Sequence, residues 1–97
     1  MRPLNGFVPD VVREIIRRAP LSPEKVTFAW RTAAGPAMAR VADVSLSAEG
    51  TLEVRCAEDH WRKEIRRSSP LLRDRLRALL GEDVVKQVKV THQRRRT

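Results

Sequence analysis

Between Leu52 and Arg67 the hydrophobic period of the chain changes, and few folds accommodate that change. Leu52, Val54 and Cys56 alternate with Glu53 and Arg55, the two-residue period of a half-buried strand. From Trp61 the rhythm becomes helical: Trp61 and Ile65 stand four apart, and Arg62, Lys63, Arg66 and Arg67 fill the opposite arc. That is a helix with one apolar stripe and one cationic face. Asp59 has the short acceptor side chain of an N-cap for it. The chain therefore runs from a strand into a helix that carries a large aromatic and four cations.

The remaining elements arrange themselves around this pair. Residues 1–8, with Pro3 and Gly6 and little periodicity, read as an N-terminal arm. Pro9 and Asp10 open a short helix to about residue 18, in which Val12, Ile15, Ile16 and Ala19 form one core face and Pro20 stops the run. Ser22-Pro23-Glu24 starts a second helix that buries Val26, Ala29, Trp30 and Ala33. Gly35-Pro36 breaks it, and Ala37, Met38 and Val41 resume it for about two turns. Val44-Ser45-Leu46-Ser47 alternates, Ala48-Glu49-Gly50 turns, and the Leu52 strand returns, as in an antiparallel hairpin. The basic helix should end near Arg67. Ser68-Ser69-Pro70 then restarts a helix with the stripe Leu72, Leu76, Leu79 and Leu80, closed by Gly81. A strand through Val88 and Val90, starting near Val84 or Val85, completes the series, and residues 93–97 form a basic tail. The expected architecture is a single α+β domain over residues 9–92, a two-layer sandwich whose three-stranded sheet is covered by helices.

Charge limits the partners. The 97 residues carry 20 Lys and Arg against 12 acidic residues, a formal net charge of +8. Such an excess favours nucleic acid or an acidic protein surface, although a solvated basic surface has the same composition. With 41% hydrophobic and 33% charged residues, the chain can fold over most of its length. One cysteine allows no internal disulfide, which makes a cytoplasmic location the expectation. No apolar run approaches the ~20 residues of a membrane span. No basic-then-apolar leader precedes the domain, so Met1 is expected to begin the mature protein.

Catalysis is not expected. Cys56, Asp59 and His60 supply nucleophile, orienting acid and base by type, but Cys56 shares the core-facing side of its strand with Leu52 and Val54. A buried thiol is inert. One Cys and two distant His offer no metal-ligand spacing, and the four glycines form no phosphate loop. Neither a metal nor an organic cofactor is expected.

The cationic face is the stronger signal. Arg62, Lys63, Arg66 and Arg67 occupy two adjacent turns with only Glu64 to offset them, and like-charge neighbours on a helix cost a few tenths of a kcal/mol, roughly, per pair. Arg73, Arg75 and Arg77 extend the surface, and Arg94, Arg95 and Arg96 add a terminal patch. With four aromatic residues in all and no recognition-helix motif, binding should rest on phosphates, without sequence readout. Trp30, among small residues, reads as core. Trp61, at a strand-to-helix junction beside exposed charge, reads either as core or as an anchor for a protein partner.

With these residues in place, the chain resembles the DciA family, bacterial proteins with a KH-like domain. The resemblance runs through Trp30 and the Gly35 break, Gly50-Thr51-Leu52-Glu53-Val54, Asp59-His60-Trp61-Arg62-Lys63-Glu64-Ile65, Ser69-Pro70-Leu71-Leu72, Leu79-Leu80-Gly81 and the closing valine strand. It covers about residues 9–92. It implies a type II-like KH fold and a non-enzymatic DNA-replication adaptor, which binds the DnaB-type replicative helicase and DNA and promotes helicase loading. In that role Trp61 and its neighbours would meet the helicase, and the protein would act at the nucleoid. Where a KH domain carries its Gly-x-x-Gly clamp, this chain has Arg67-Ser68-Ser69-Pro70. The alternative is a stand-alone RNA-binding KH-like protein in RNA or ribosome metabolism, and the absent clamp argues against it.

Overall fold

A computed structural model describes residues 9–92. In chain order the elements are α1 (Asp10–Arg18), α2 (Pro23–Ala34), α3 (Pro36–Val41), β1 (Ala42–Leu46), β2 (Thr51–Cys56), α4 (Asp59–Leu80) and β3 (Gln87–His92). The strands form one sheet in the order β1-β2-β3. β1 and β2 pair antiparallel, with Val44 opposite Val54, and β2 and β3 pair parallel, with Val54 opposite Val90. Parallel neighbours need a long crossover, and α4 supplies it. Leu52, Val54 and Cys56 are fully buried beneath the helices, joined by Ile65, Leu72, Leu76 and Leu79 from α4 and by Trp30 from α2. Val88 and Val90 are half-buried against the same core. The expected α+β two-layer arrangement of KH-like type is the one observed.

Capping chemistry sets the boundaries of α2 and α3. Ser22 Oγ accepts from the Lys25 N–H at 3.1 Å, with Pro23 at the first helical position. Gly35 ends α2 by donating its N–H to the Arg31 carbonyl, and its own carbonyl accepts from Ala39 to begin α3. It does both at φ 90°, where L side chains are strained, although no atom lies within 4 Å of the position a Cβ would take. Backbone conformation, not space, requires the glycine. Gly35→Ala is therefore expected to lower stability by about 1–3 kcal/mol, measured as a drop in the urea midpoint.

Three local expectations need correction. The restart at Ser68-Ser69-Pro70 does not occur: α4 is one helix of 22 residues with Pro70 inside it. Pro70 cannot donate to the Arg66 carbonyl, a defect of about 3 kcal/mol in an isolated helix. The buried stripe nevertheless continues in phase across it, since Ile65 and Leu72 are seven apart and Leu76 and Leu79 follow. One helix buries both halves of the stripe, and that outweighs the lost bond. Ser69 turns its hydroxyl back to donate to the Ile65 carbonyl at 3.0 Å instead of capping a new helix.

The second correction concerns the start of α4. Glu58 holds the N-cap position and makes no side-chain cap bond, while Asp59 is the first helical residue. The Asp59 carboxylate faces Arg62 at 3.1 Å and Lys63 at 3.5 Å. Lys63, then Arg62, hold it below the usual carboxylate range.

The third concerns α1, where a single core face was expected. Only Ile16 is buried; Val12, Ile15 and Ala19 are exposed. A nine-residue helix docked by one edge can bury only the residue on that edge. Its last turn is closed from α2, where Lys25 Nζ donates to the carbonyls of Arg17 at 3.1 Å and Ala19 at 2.6 Å.

Smaller shifts occur in the strands. β1 begins two residues earlier than the alternation suggested, and β3 begins at Gln87. Val85 is fully buried ahead of that strand. Gly81 closes α4 at φ 113° and donates its N–H to the Arg77 carbonyl at 2.8 Å.

Candidate nucleic-acid interface

α4 carries most of the candidate residues, and its phase divides them. Arg62, Arg66, Arg73 and Arg77 lie on one flank of the buried stripe, whereas Lys63 and Arg67 lie on the outer face. The sequence expectation treats them alike. Their surroundings differ.

Arg62 braces the junction from which the helix springs. Its side chain is 14% exposed, and its guanidinium donates to the carbonyls of Cys56 at 3.0 Å and Ala57 at 2.7 Å as well as to Asp59. Those carbonyls lie at the end of β2 and just past it, so the guanidinium ties the strand to the first turn of α4. Arg77 does the same at the far end, donating from Nε to the Val85 carbonyl at 2.8 Å and from a terminal nitrogen to Lys86 at 3.3 Å. Arg75 donates to the Ala33 carbonyl at the end of α2. Arg73 is 43% exposed with Asp74 3.9 Å away, and its Nε is buried without a hydrogen-bond partner among the described residues.

Lys63, Arg66 and Arg67 differ from these. All three are exposed. Lys63 faces Asp59, and Arg67 faces Glu64 at 3.4 Å, both across solvent-exposed pairs of little energetic weight. Arg66 has no carboxylate partner among the described residues. Arg94, Arg95 and Arg96 lie outside the described residues.

Trp61 sits at the first turn of α4, half-buried, with one side packed on the core. Its ring centroid is 5.6 Å from that of His60, which is exposed. The indole is thus neither enclosed nor free, with cationic Lys63 on the same turns. Trp30 is 1% exposed, deep in the core.

Cys56, Asp59 and His60 do not converge. The thiol is fully buried and lies 3.7 Å from the Glu58 carbonyl, and no hydrogen bond joins it to His60. Among the described residues, no group of three or more His, Cys, Asp or Glu could hold a metal ion, and no helix is long and apolar enough to cross a membrane.

A second basic feature lies off the cationic face of α4. Arg13 and Arg17 of α1 meet Asp74, Arg77 and Glu82 around a shallow cavity of about 310 Å³. The four-residue spacing of Arg13 and Arg17 was a visible signal, but only the docking of α1 on α4 shows where they point.

No curated protein and no solved structure matches the chain. The family model described as "Dna[CI] antecedent, DciA" matches residues 3–90, a span that takes in both tryptophans, the whole of α4 and all but the last two residues of the sheet. The chain therefore belongs to the DciA family, a family of replication adaptors related to the loading of the DnaB-type helicase.

Proposed function

We propose that the protein is a non-enzymatic adaptor that docks on the DnaB-type replicative helicase through the first turn of α4, around Trp61. In this reading it holds DNA by phosphate contacts from the same helix, and so promotes helicase loading at the nucleoid in the cytoplasm. The observation that carries the reading is α4 itself, which bears a half-buried indole at its first turn on the core side and exposed Lys63, Arg66 and Arg67 on the arc away from it. Trp and Arg are the residues enriched where protein interfaces concentrate their binding energy, and exposed cations without strong internal partners suit phosphate. Arg73 and the tail arginines Arg94, Arg95 and Arg96 add to the positive surface. Arg62 and Arg77 are largely committed to backbone carbonyls and contribute mainly their charge. An RNA clamp has no place in this reading, because the segment where a Gly-x-x-Gly loop would stand lies inside an uninterrupted helix.

The test is light scattering of the full chain with the DnaB-type helicase of its own organism, with and without DNA. A complex is expected in both cases. No complex, together with tight binding of RNA, would refute the proposal. Trp61→Ala should weaken helicase binding by about thirtyfold, the effect of losing a hot-spot aromatic, while leaving the far-UV spectrum unchanged. A lost far-UV signal would assign the ring to the core instead.

A further inference from the structure

Among the described residues β1 is an edge strand, paired on one side only. Ser47 donates its N–H to the Thr51 carbonyl at 2.9 Å, and pairs alternate along an antiparallel ladder. Ser45 and Asp43 therefore direct their backbone groups to β2, in register with Glu53 and Arg55. The N–H and C=O groups of Val44 and Leu46 point the other way, to the free edge. Beside them lies an open, mostly apolar groove of about 360 Å³, lined by Leu21, Pro23, Val26, Val44 and Leu46. Leu21 is 55% exposed there. Unpaired backbone groups next to apolar surface make an edge that invites another strand.

We infer that this edge pairs with the β1 edge of a second copy of the chain, antiparallel and centred on Val44. The side-chain pattern selects that occupant and that register. With Val44 opposite its own counterpart, Leu46 falls opposite Ala42, so every outward-facing residue of β1 has a matching one. On the polar face of the sheet, Asp43 then falls opposite Ser45 of the second copy. Ser45 Oγ accepts from Arg55 at 2.8 Å, which leaves its O–H to donate to that carboxylate. Sliding by one pair in one direction sets Asp43 against Asp43, and opposed like charges destabilise a strand pair. On the helix side, Leu21, Val26 and Val44 of each copy meet those of the other across the dyad. The contact is isologous, and it joins two sheets into one of six strands with both α4 helices on the same face. Strands of five residues bury less than a standard interface, so the dimer forms in the upper micromolar range.

Sedimentation equilibrium of the full chain from about 10 µM to about 1 mM should show the mass rising from 11.1 kDa toward twice that value. Val44→Pro removes an outward-facing donor, together with part of a half-buried side chain, at a position where an edge strand tolerates proline, and should leave a monomer throughout. Ser45→Asp should do the same by opposing two carboxylates. Adding Asp43→Ser to Ser45→Asp restores the pair with its roles exchanged, and the dimer should return. A wild-type chain that stays monomeric over the whole range overturns the inference. So does a dimer that neither single variant disturbs, or one that the double exchange fails to restore. If Val44→Pro loses its far-UV signal, the Ser45 and Asp43 variants decide alone.

Discussion

Trp30→Ala should lower the unfolding free energy by about 3–5 kcal/mol. The ring is 1% exposed and shares its buried face of α2 with Val26, Ala29 and Ala33. Those alanines let α2 approach the sheet and α4 closely, and they carry no long side chain of their own to fill the hole. The cavity term adds to the lost transfer free energy. A domain of this size holds about 5–15 kcal/mol in total, so the variant should unfold at far lower urea. Among the described residues Trp30 Nε1 has no hydrogen-bond partner. Trp30→Phe therefore removes an unpartnered buried donor together with some volume, and should cost only about 1–2 kcal/mol. A Trp30→Ala protein with an unchanged urea midpoint would show that the helix layer does not rest on this ring.

What the sequence made legible follows from the range of each interaction. Period-two alternation located β2, and Ser22-Pro23 and Gly35-Pro36 located the limits of α2 and α3, because each signal lies within a few residues of the boundary it sets. Pro70 misled for the same reason. Its local signature with Ser69 is that of a helix start, yet the burial of Ile65 and Leu72 on one stripe, a longer-range effect, kept α4 whole. Val12 and Ile15 had the spacing of a core face, but spacing does not reveal how much of a short helix its neighbours cover. The same limit applied to the cations. Arg62 and Arg66 are equivalent on a helical wheel, and only the position of the β2 carbonyls separates a brace from an exposed charge.

That separation makes the arginines testable against one another. Replacing Arg66 and Arg67 together by Ala should lower the slope of log affinity against log salt for duplex DNA by about two, at roughly 0.9 per phosphate contact. Affinity at moderate salt should fall by about a hundredfold, taking each charged contact as about 1.4 kcal/mol. Both side chains are exposed, and the Arg67–Glu64 pair is a surface one, so thermal stability should hardly move. Arg62→Ala should behave in the opposite way. Without its guanidinium, the Cys56 and Ala57 carbonyls each lose a donor, which should cost about 1–3 kcal/mol of stability while the salt slope changes by less than one. Equal slope losses in the two proteins would mean that the brace at the β2–α4 junction also reaches phosphate. An unchanged slope for the Arg66 and Arg67 variant would place the DNA surface off α4, with the arginines of α1 next in line.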